Sequence, residues 1–89
     1  MEFELDDQKS KKNKEKHGID FIESRKIWLD LHHIEIPARN EDEPRDLVIG
    51  RIDEKCWSAV ITFREESIRI ISARRSRREE IEIYEGKGV

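Results

Sequence analysis

The 89-residue sequence has little of what stabilises secreted or membrane proteins. Its single cysteine, Cys56, excludes an internal disulfide and is typical of a reducing compartment. No hydrophobic run approaches the roughly 20 residues that a membrane-spanning helix needs. The N-terminal sequence MEFELDD is too acidic for a signal peptide. We therefore expect a soluble cytoplasmic protein, folded as one domain over residues 1–89. Its core should be small, because only 35% of its residues are hydrophobic.

Metal-binding and common catalytic motifs are also missing. His32 and His33 are adjacent, so an extended chain points them to opposite faces, and Cys56 has no partner at metal-ligand spacing. There is no glycine-rich phosphate loop and no GxSxG motif. The sequence thus predicts no metal ion and no cofactor. Cys56 as a nucleophile with His17 is an alternative, but a small buried residue in a strand explains this cysteine better.

Charge is what the sequence has in excess, since 44% of the residues are charged although the formal net charge is only −3. The segment Lys9–His17 has five lysines against one glutamate, and Arg64–Arg78 has six arginines against two glutamates. Two basic segments in an otherwise acidic chain predict a localised binding site for a polyanion. An acidic partner protein would explain them too.

The first basic segment is predicted to form a helix over Asp7–Lys16, ended by His17-Gly18. This helix has no hydrophobic residue. Because no apolar stripe holds it to a core, either it is marginally stable or hydrogen bonds hold one polar face near a site. One face carries Lys9, Asn13, Lys16 and His17.

A second helix is predicted to start after Asp20 and to cover a sheet with its apolar face. Trp28 on this helix and Trp57 on the facing strand are expected to be core anchors. A last helix is predicted from Arg77 to about Glu85, with Ser76 and Glu79 as a capping pair. The apolar stripe of the second helix consists of Phe21, Ile22, Ile27, Trp28, Leu29 and Leu31.

Alternating apolar residues predict four strands, over His33–Ile36, Asp46–Ile52, Cys56–Arg64 and Ser67–Ala73. A short extended piece precedes them at the N-terminus, and a charged loop covers Ala38–Arg45. The predicted fold is α+β: an antiparallel sheet of about four strands packed by N-terminal helices, with a C-terminal helix. In the third strand we assign Trp57, Ala59, Ile61 and Phe63 to the core face, which leaves Thr62 and Arg64 on the functional face.

Four arginines of the second basic segment lie where the fourth strand ends and the last helix begins, and Arg64 lies at the end of the third strand. Guanidinium groups match phosphate geometry, so we assign Arg64, Arg74 and Arg75 to phosphate binding. The alternative is that these arginines only pair with the many nearby glutamates.

Two further residues suit metal-free cleavage of RNA, which needs a base for the 2′-OH, a proton donor for the leaving oxygen and cations around the phosphorane. His17 is the candidate general acid or base; the alternative is a histidine favoured by the dipole at a helix C-terminus. Tyr84 is a candidate to stack a base or donate a proton; the alternative is packing.

A set of short pieces over nearly the whole chain forms a specific pattern. The pieces are Phe3-Glu4 with Asp6, then Lys9, Asn13, Lys16-His17-Gly18 ahead of Phe21, Gly50, Phe63-Arg64, the RIISAR run Arg69–Arg74, Glu80 and Tyr84. In this order and spacing they resemble the BrnT family, toxins of bacterial type II toxin–antitoxin pairs. Two positions depart from the family pattern: Leu5 replaces a tryptophan, and Phe63 replaces a common tyrosine.

The resemblance implies a RelE-like fold and a metal-independent ribonuclease that stops translation. It also implies a BrnA-like antitoxin with a ribbon-helix-helix domain, bound as a 2:2 heterotetramer that contacts operator DNA only through the antitoxin. The alternative is a non-catalytic module that binds RNA or protein in a basic groove. We predict catalytic roles for His17, Arg64, Arg74, Arg75 and Tyr84, and RNA binding by Lys9, Lys16 and Arg69.

Overall fold

The computed structural model describes residues 2–38 and 44–86. The charged loop predicted over Ala38–Arg45 falls mainly on residues 39–43, which lie outside the described residues. The elements, in chain order, are β1 (Glu2–Glu4), α1 (Asp7–His17), α2 (Phe21–Ser24), a 3₁₀ helix (Arg25–Leu29), β2 (Ile34–Ala38), β3 (Arg45–Ile52), β4 (Lys55–Arg64), β5 (Ser67–Arg75) and α3 (Arg78–Tyr84).

The strands form one mixed sheet in the order β1-β5-β4-β3-β2. From β2 to β5 each strand is antiparallel to its neighbour, whereas β1 pairs in parallel with β5, placing Phe3 opposite Ile68. The predicted α+β class is confirmed. The prediction of an antiparallel sheet of about four strands is wrong, because the N-terminal piece joins the sheet as a fifth, parallel strand. A three-residue strand with one hydrophobic residue carries too little pattern to indicate its partner.

One face of the sheet packs against the hydrophobic core under α1, α2 and the 3₁₀ helix. On β4, Ala59 and Ile61 are fully buried on this face, as predicted. Phe63, from the same predicted face, is 53% exposed near the end of the strand. We call this side of the sheet the core face and the opposite side, on which α3 lies, the α3 face. Ser58 of β4 belongs to the α3 face, where its hydroxyl donates a hydrogen bond to Glu80 of α3.

Neither tryptophan is the core anchor that was predicted. Both are only partly buried and pack against the rim of the core cluster. Trp28 meets the ring of Phe3 edge-on, with the ring centroids 4.9 Å apart. The largest fully buried side chains are instead Phe21 and several isoleucines. The aliphatic side chains therefore stabilise the core, and the indoles lie at its edge.

The predicted second helix changes type after one turn, and this moves its buried face. A 3₁₀ helix has three residues per turn, so side chains three positions apart line up. Phe21, Ser24 and Ile27 follow this spacing, and all three are fully buried. The predicted stripe is wrong for Ile22, Leu29 and Leu31, which are exposed. Leu31 lies beyond the end of the 3₁₀ helix at Leu29.

Helix α1 is held to α2 and to the sheet by polar side chains. The Ser10 hydroxyl accepts a hydrogen bond from the Phe21 N–H at 2.9 Å. The Asn13 amide donates to the carbonyls of Ile19 and Ala73 at 2.7 and 2.8 Å, and its oxygen accepts from the Ala73 N–H at 3.2 Å. Of the two alternatives for this helix, attachment by hydrogen bonds is the one observed. Its predicted cap at Gly18 is confirmed, with φ of 80°.

A β-bulge on β5 decides which way its last residues face. The register pairs Ile61 with Ile70 but Val60 with Ser72, so Ile71 is an extra residue. Ile70 and Ala73, three positions apart, are consequently both buried on the core face. Beyond the bulge, the side chain of Arg75 lies on the core face and that of Arg74 on the α3 face.

Candidate functional site

The predicted site residues lie at two opposite ends of the sheet. Arg74 and Arg75 pair with Ser58 and Trp57 beside the β3–β4 turn, which we call the β3–β4 turn end. Arg64 lies six positions beyond Ser58 on β4, at what we call the β4–β5 turn end. Six strand residues span about 20 Å. The phosphate clamp predicted from Arg64, Arg74 and Arg75 is therefore not one cluster.

Most of the predicted catalytic residues share the β3–β4 turn end. Asn13 ties α1 to Ala73, so the C-terminus of this helix points toward that end, where Gly18 and Trp57 line the same cavity. Lys16, His17, Arg74, Arg75 and Tyr84 lie at the β3–β4 turn end, and Lys9, Arg64 and Arg69 lie at the β4–β5 turn end.

A cavity of about 740 Å³ opens at the β3–β4 turn end on the core face. Trp57 forms part of its wall, and the guanidinium of Arg75 lies over this indole, 5.5 Å from the ring centroid. A cation over an aromatic ring is attracted by the ring's π electrons. The cavity is lined by Gly18, Ile19, Glu23, Lys26, Ile52, Asp53, Glu54, Lys55 and Trp57.

On the α3 face, Arg74 forms a two-pronged salt bridge with Glu80, with N–O distances of 2.7 and 2.8 Å. The Glu80 carboxylate also accepts hydrogen bonds from the Ser58 hydroxyl at 3.0 Å and the Arg77 N–H at 2.8 Å. Burial alone would raise the pKa of Glu80, but these three donors lower it to about 2. The alternative that the arginines pair with glutamates thus describes Arg74.

The same glutamate begins α3, one residue later than predicted. Arg77 is the N-cap, and Glu80 rather than Glu79 accepts its N–H. Ser76, predicted as the cap, instead shares a hydrogen bond of 2.7 Å with the Ser58 hydroxyl. The predicted capping pair is therefore wrong, because both of its members have other surroundings in the folded chain.

Tyr84 is anchored by Asp30 across the edge of the sheet. Its hydroxyl donates to Asp30 Oδ2 at 2.5 Å, and the same carboxylate accepts from the N–H groups of Arg51 at 2.8 Å and His32 at 2.9 Å. Burial and the Asp30 carboxylate raise the pKa of Tyr84 to about 12. The Arg51 guanidinium lies 5.6 Å from the centre of the tyrosine ring. The phenolic proton is therefore already donated within the chain.

We expect this anchor to be visible in a pH titration, because Tyr84 is the only tyrosine. Ultraviolet absorbance should show the folded chain ionising near pH 12 rather than near 10.0. Asp30→Asn should lower the pKa of Tyr84 toward 10.0, because it removes the negative charge next to the phenol. Asp7→Asn, on a distant helix start, is the control. Equal titration midpoints for Asp30→Asn and the unmodified chain would contradict the anchor.

Within residues 2–38 and 44–86, no helix has the length and hydrophobicity needed to cross a membrane. The same residues contain no group of three or more His, Cys, Asp or Glu side chains arranged to hold a metal ion.

Comparison with family models matches residues 5–80 to the ribonuclease toxin BrnT of type II toxin–antitoxin systems. The chain belongs to the BrnT family. Membership makes it a ribonuclease toxin of a type II pair, which implies an antitoxin partner. A search of the curated proteins finds no match to the chain. The match to BrnT runs from Leu5, two residues before α1, through Glu80, so it includes Arg74 and its carboxylate partner.

Two residues that shape this BrnT site were not predicted as site residues. Glu80 holds Arg74, and its position three residues after a helix N-cap was the sequence signal available for it. Asp30 holds Tyr84, and no local pattern indicates this, because the two residues are 54 positions apart.

Proposed function

We propose that this BrnT-family chain cleaves RNA without a metal ion at the β3–β4 turn end and thereby inhibits translation in the cytoplasm. The observation that carries the proposal is that one cavity is lined by Gly18, the residue after His17, and by Trp57, over whose ring Arg75 lies. A BrnA-like antitoxin of the ribbon-helix-helix type would neutralise it in a 2:2 heterotetramer, which would bind operator DNA through the antitoxin. The RelE-like character of the fold belongs to the same proposal.

Helix α1 offers a path for the RNA backbone between the two ends of the sheet. All its lysines are exposed, while Ser10 and Asn13 face the sheet. Lys9 lies at the start of this path and Lys16 at its end, beside His17. Lysines along one edge contact phosphates without reading sequence. The residues at the β4–β5 turn end, Arg64, Arg69 and Lys9, would then bind nucleotides that flank the cleavage point.

At the cleavage point we assign proton transfer to His17, since histidine is the side chain most often used for this task. Arg75 and Lys16 would stabilise the negative charge that develops on the phosphorane. Arg74 and Tyr84 belong to the proposed site from the α3 face. Each is bound to a carboxylate, so each would have to exchange Glu80 or Asp30 for the RNA in order to act directly.

Cleavage of a defined RNA by the purified chain tests the proposal. We expect activity in the presence of EDTA, and a loss of about a hundredfold or more for His17→Gln, because a positioned proton donor or acceptor contributes that much. Arg75→Ala should lose activity similarly, since one charge-stabilising donor has a comparable effect. Arg78→Ala, whose side chain is 93% exposed, is the matched arginine control.

Melting curves must show that these variants stay folded. Loss of activity in EDTA that magnesium restores would contradict the metal-free mechanism. RNA binding without cleavage by the unmodified chain would support the alternative, a non-catalytic binding module. Full activity of both His17→Gln and Arg75→Ala would place the chemistry elsewhere in the fold.

A further inference from the structure

Packing against the core does not explain why part of the Trp57 side chain is exposed. This indole lies on the core face of a central strand, yet it is only partly buried and lines a cavity large enough for a nucleotide. Arg75 lies over its ring. An aromatic ring beside a cation is a common platform on which nucleic-acid bases stack.

The rim of this cavity carries three carboxylates, two of which make no salt bridge with the residues that the structure describes. Asp53 and Glu54 form the β3–β4 turn, and neither makes a salt bridge within residues 2–38 and 44–86. The third carboxylate, Glu23, is paired with Lys14 at 2.6 Å. An ionised carboxylate only accepts hydrogen bonds. Asp53 and Glu54 are therefore suited to bind a ligand edge that presents N–H donors, while Lys26 and Lys55 supply the cations of the same cavity.

Among the four RNA bases, guanine alone presents two adjacent donors on its Watson–Crick edge, the N1–H and the 2-amino group. Adenine and cytosine place their amino group next to an acceptor nitrogen, which a carboxylate repels. Uracil has one N–H between two carbonyls. A carboxylate can accept both guanine donors at once, with one oxygen for each.

We propose that this cavity is a guanine-binding subsite: the base stacks on Trp57, and its donor edge is read by Asp53 or Glu54. The proposal rests on the RNA-cleaving function proposed above and adds the base that the site selects. Gly18, next to His17, and Trp57, under Arg75, line the same cavity, so the proposal places the cleaved bond beside a guanosine.

Binding can be measured apart from cleavage with short 2′-O-methyl oligonucleotides, which lack the free 2′-OH. Each probe is oligouridine with one central guanine, hypoxanthine or uracil. Hypoxanthine differs from guanine only by lacking the 2-amino group. In a Trp28→Phe background Trp57 is the only tryptophan, so its fluorescence reports on the cavity. We expect the guanine probe to quench Trp57 and to bind about tenfold or more tightly than the hypoxanthine probe.

Two isosteric variants test the readers of the base. Glu54→Gln and Asp53→Asn should each be examined, and one of them should reduce the preference for guanine over hypoxanthine to about twofold or less. Asn tolerates the positive φ of 58° at position 53, so the turn is kept. Glu66→Gln, in the turn at the opposite end, is the control and should keep the preference.

Equal affinity for the three probes, or binding that leaves Trp57 fluorescence unchanged, would overturn the subsite. A preference for guanine that survives both Glu54→Gln and Asp53→Asn would overturn the assigned readers. Failure of the proposed function has a different signature: unmodified RNA would stay intact while the preference for guanine and its dependence on the turn persist.

Discussion

Arg74→Ala will destabilise the fold by about 3 kcal/mol, because removal of one partner leaves the other charge poorly solvated and unpaired. The Glu80 side chain is 11% exposed and the Arg74 side chain 22% exposed. Without Arg74, Glu80 keeps the Ser58 and Arg77 donors but loses both hydrogen bonds to the guanidinium. Urea denaturation measures the loss. Arg64→Ala, at an exposed strand end, is the matched control and should change the unfolding free energy by about 0.5 kcal/mol or less.

A double variant separates the role of Arg74 in holding Glu80 from a role in catalysis. Arg74→Met combined with Glu80→Gln removes both charges, so the double variant should be more stable than Arg74→Ala. If the folded double variant regains RNA cleavage, Arg74 acts by holding Glu80 and α3 in place. If it is stable but inactive, Arg74 acts on the RNA. Equal urea midpoints for Arg74→Ala and the Arg64→Ala control would contradict a stabilising salt bridge between Arg74 and Glu80.

The same pair makes stability depend on pH in the acid range. Folding lowers the pKa of Glu80 from 4.5 to about 2, so its contribution is complete above pH 4.5 and is lost as the pH falls toward 2. Glu80→Gln should therefore flatten the fall in melting temperature between these two pH values. An unchanged slope in this variant would show that other carboxylates cause the acid sensitivity.

Asn13→Ala will destabilise the chain by about 3–4 kcal/mol, since it leaves buried peptide groups without partners. The Asn13 amide makes three hydrogen bonds. Helix α1 has no hydrophobic side chain, so apolar packing cannot hold it to the core when these bonds are lost. Asn13→Asp should be at least as damaging, because a carboxylate would face the carbonyls of Ile19 and Ala73. Hydrogen exchange at the Ala73 amide should accelerate along with the loss of stability.

Gln8→Ala is the control for Asn13, because it removes an exposed polar side chain from the same helix. It should change the unfolding free energy by about 0.5 kcal/mol or less. Asn13→Ala and Gln8→Ala with the same denaturation midpoint would mean that water replaces the three hydrogen bonds without cost, and that α1 is held by other contacts.

Local sequence chemistry predicted local structure well. The caps at Asp20 and Gly18 and the face assignment of Ala59 and Ile61 follow from the side chains of a few neighbouring residues. The 3₁₀ helix did not follow, because the repeat of Phe21, Ser24 and Ile27 becomes visible only when a buried serine is counted as part of the stripe.

The candidate site was harder to predict because it depends on distant contacts. The sequence indicated arginines at strand ends, but one extra residue at Ile71 decides which of Arg74 and Arg75 faces the core and which faces α3. Strands β4 and β5 are antiparallel, so the end of β4 and the end of β5 lie at opposite ends of the sheet. This separates Arg64 from Arg74 and Arg75. Asp30 and Tyr84 meet only through the complete fold.

Strand β1 pairs with β5 only as far as Arg69. Beyond Arg69, no strand of the described residues pairs with the outer edge of β5. Unpaired peptide groups on such an edge invite pairing with another chain. The amide of Asn13 occupies both groups of Ala73 as a neighbouring strand would. Helix α1 thus covers the edge of β5 at Ala73. Weakening the attachment of α1 should therefore favour both unfolding and self-association by pairing of this edge with another chain. Aggregation of Asn13→Ala at temperatures where most of it is still folded is therefore the expected outcome.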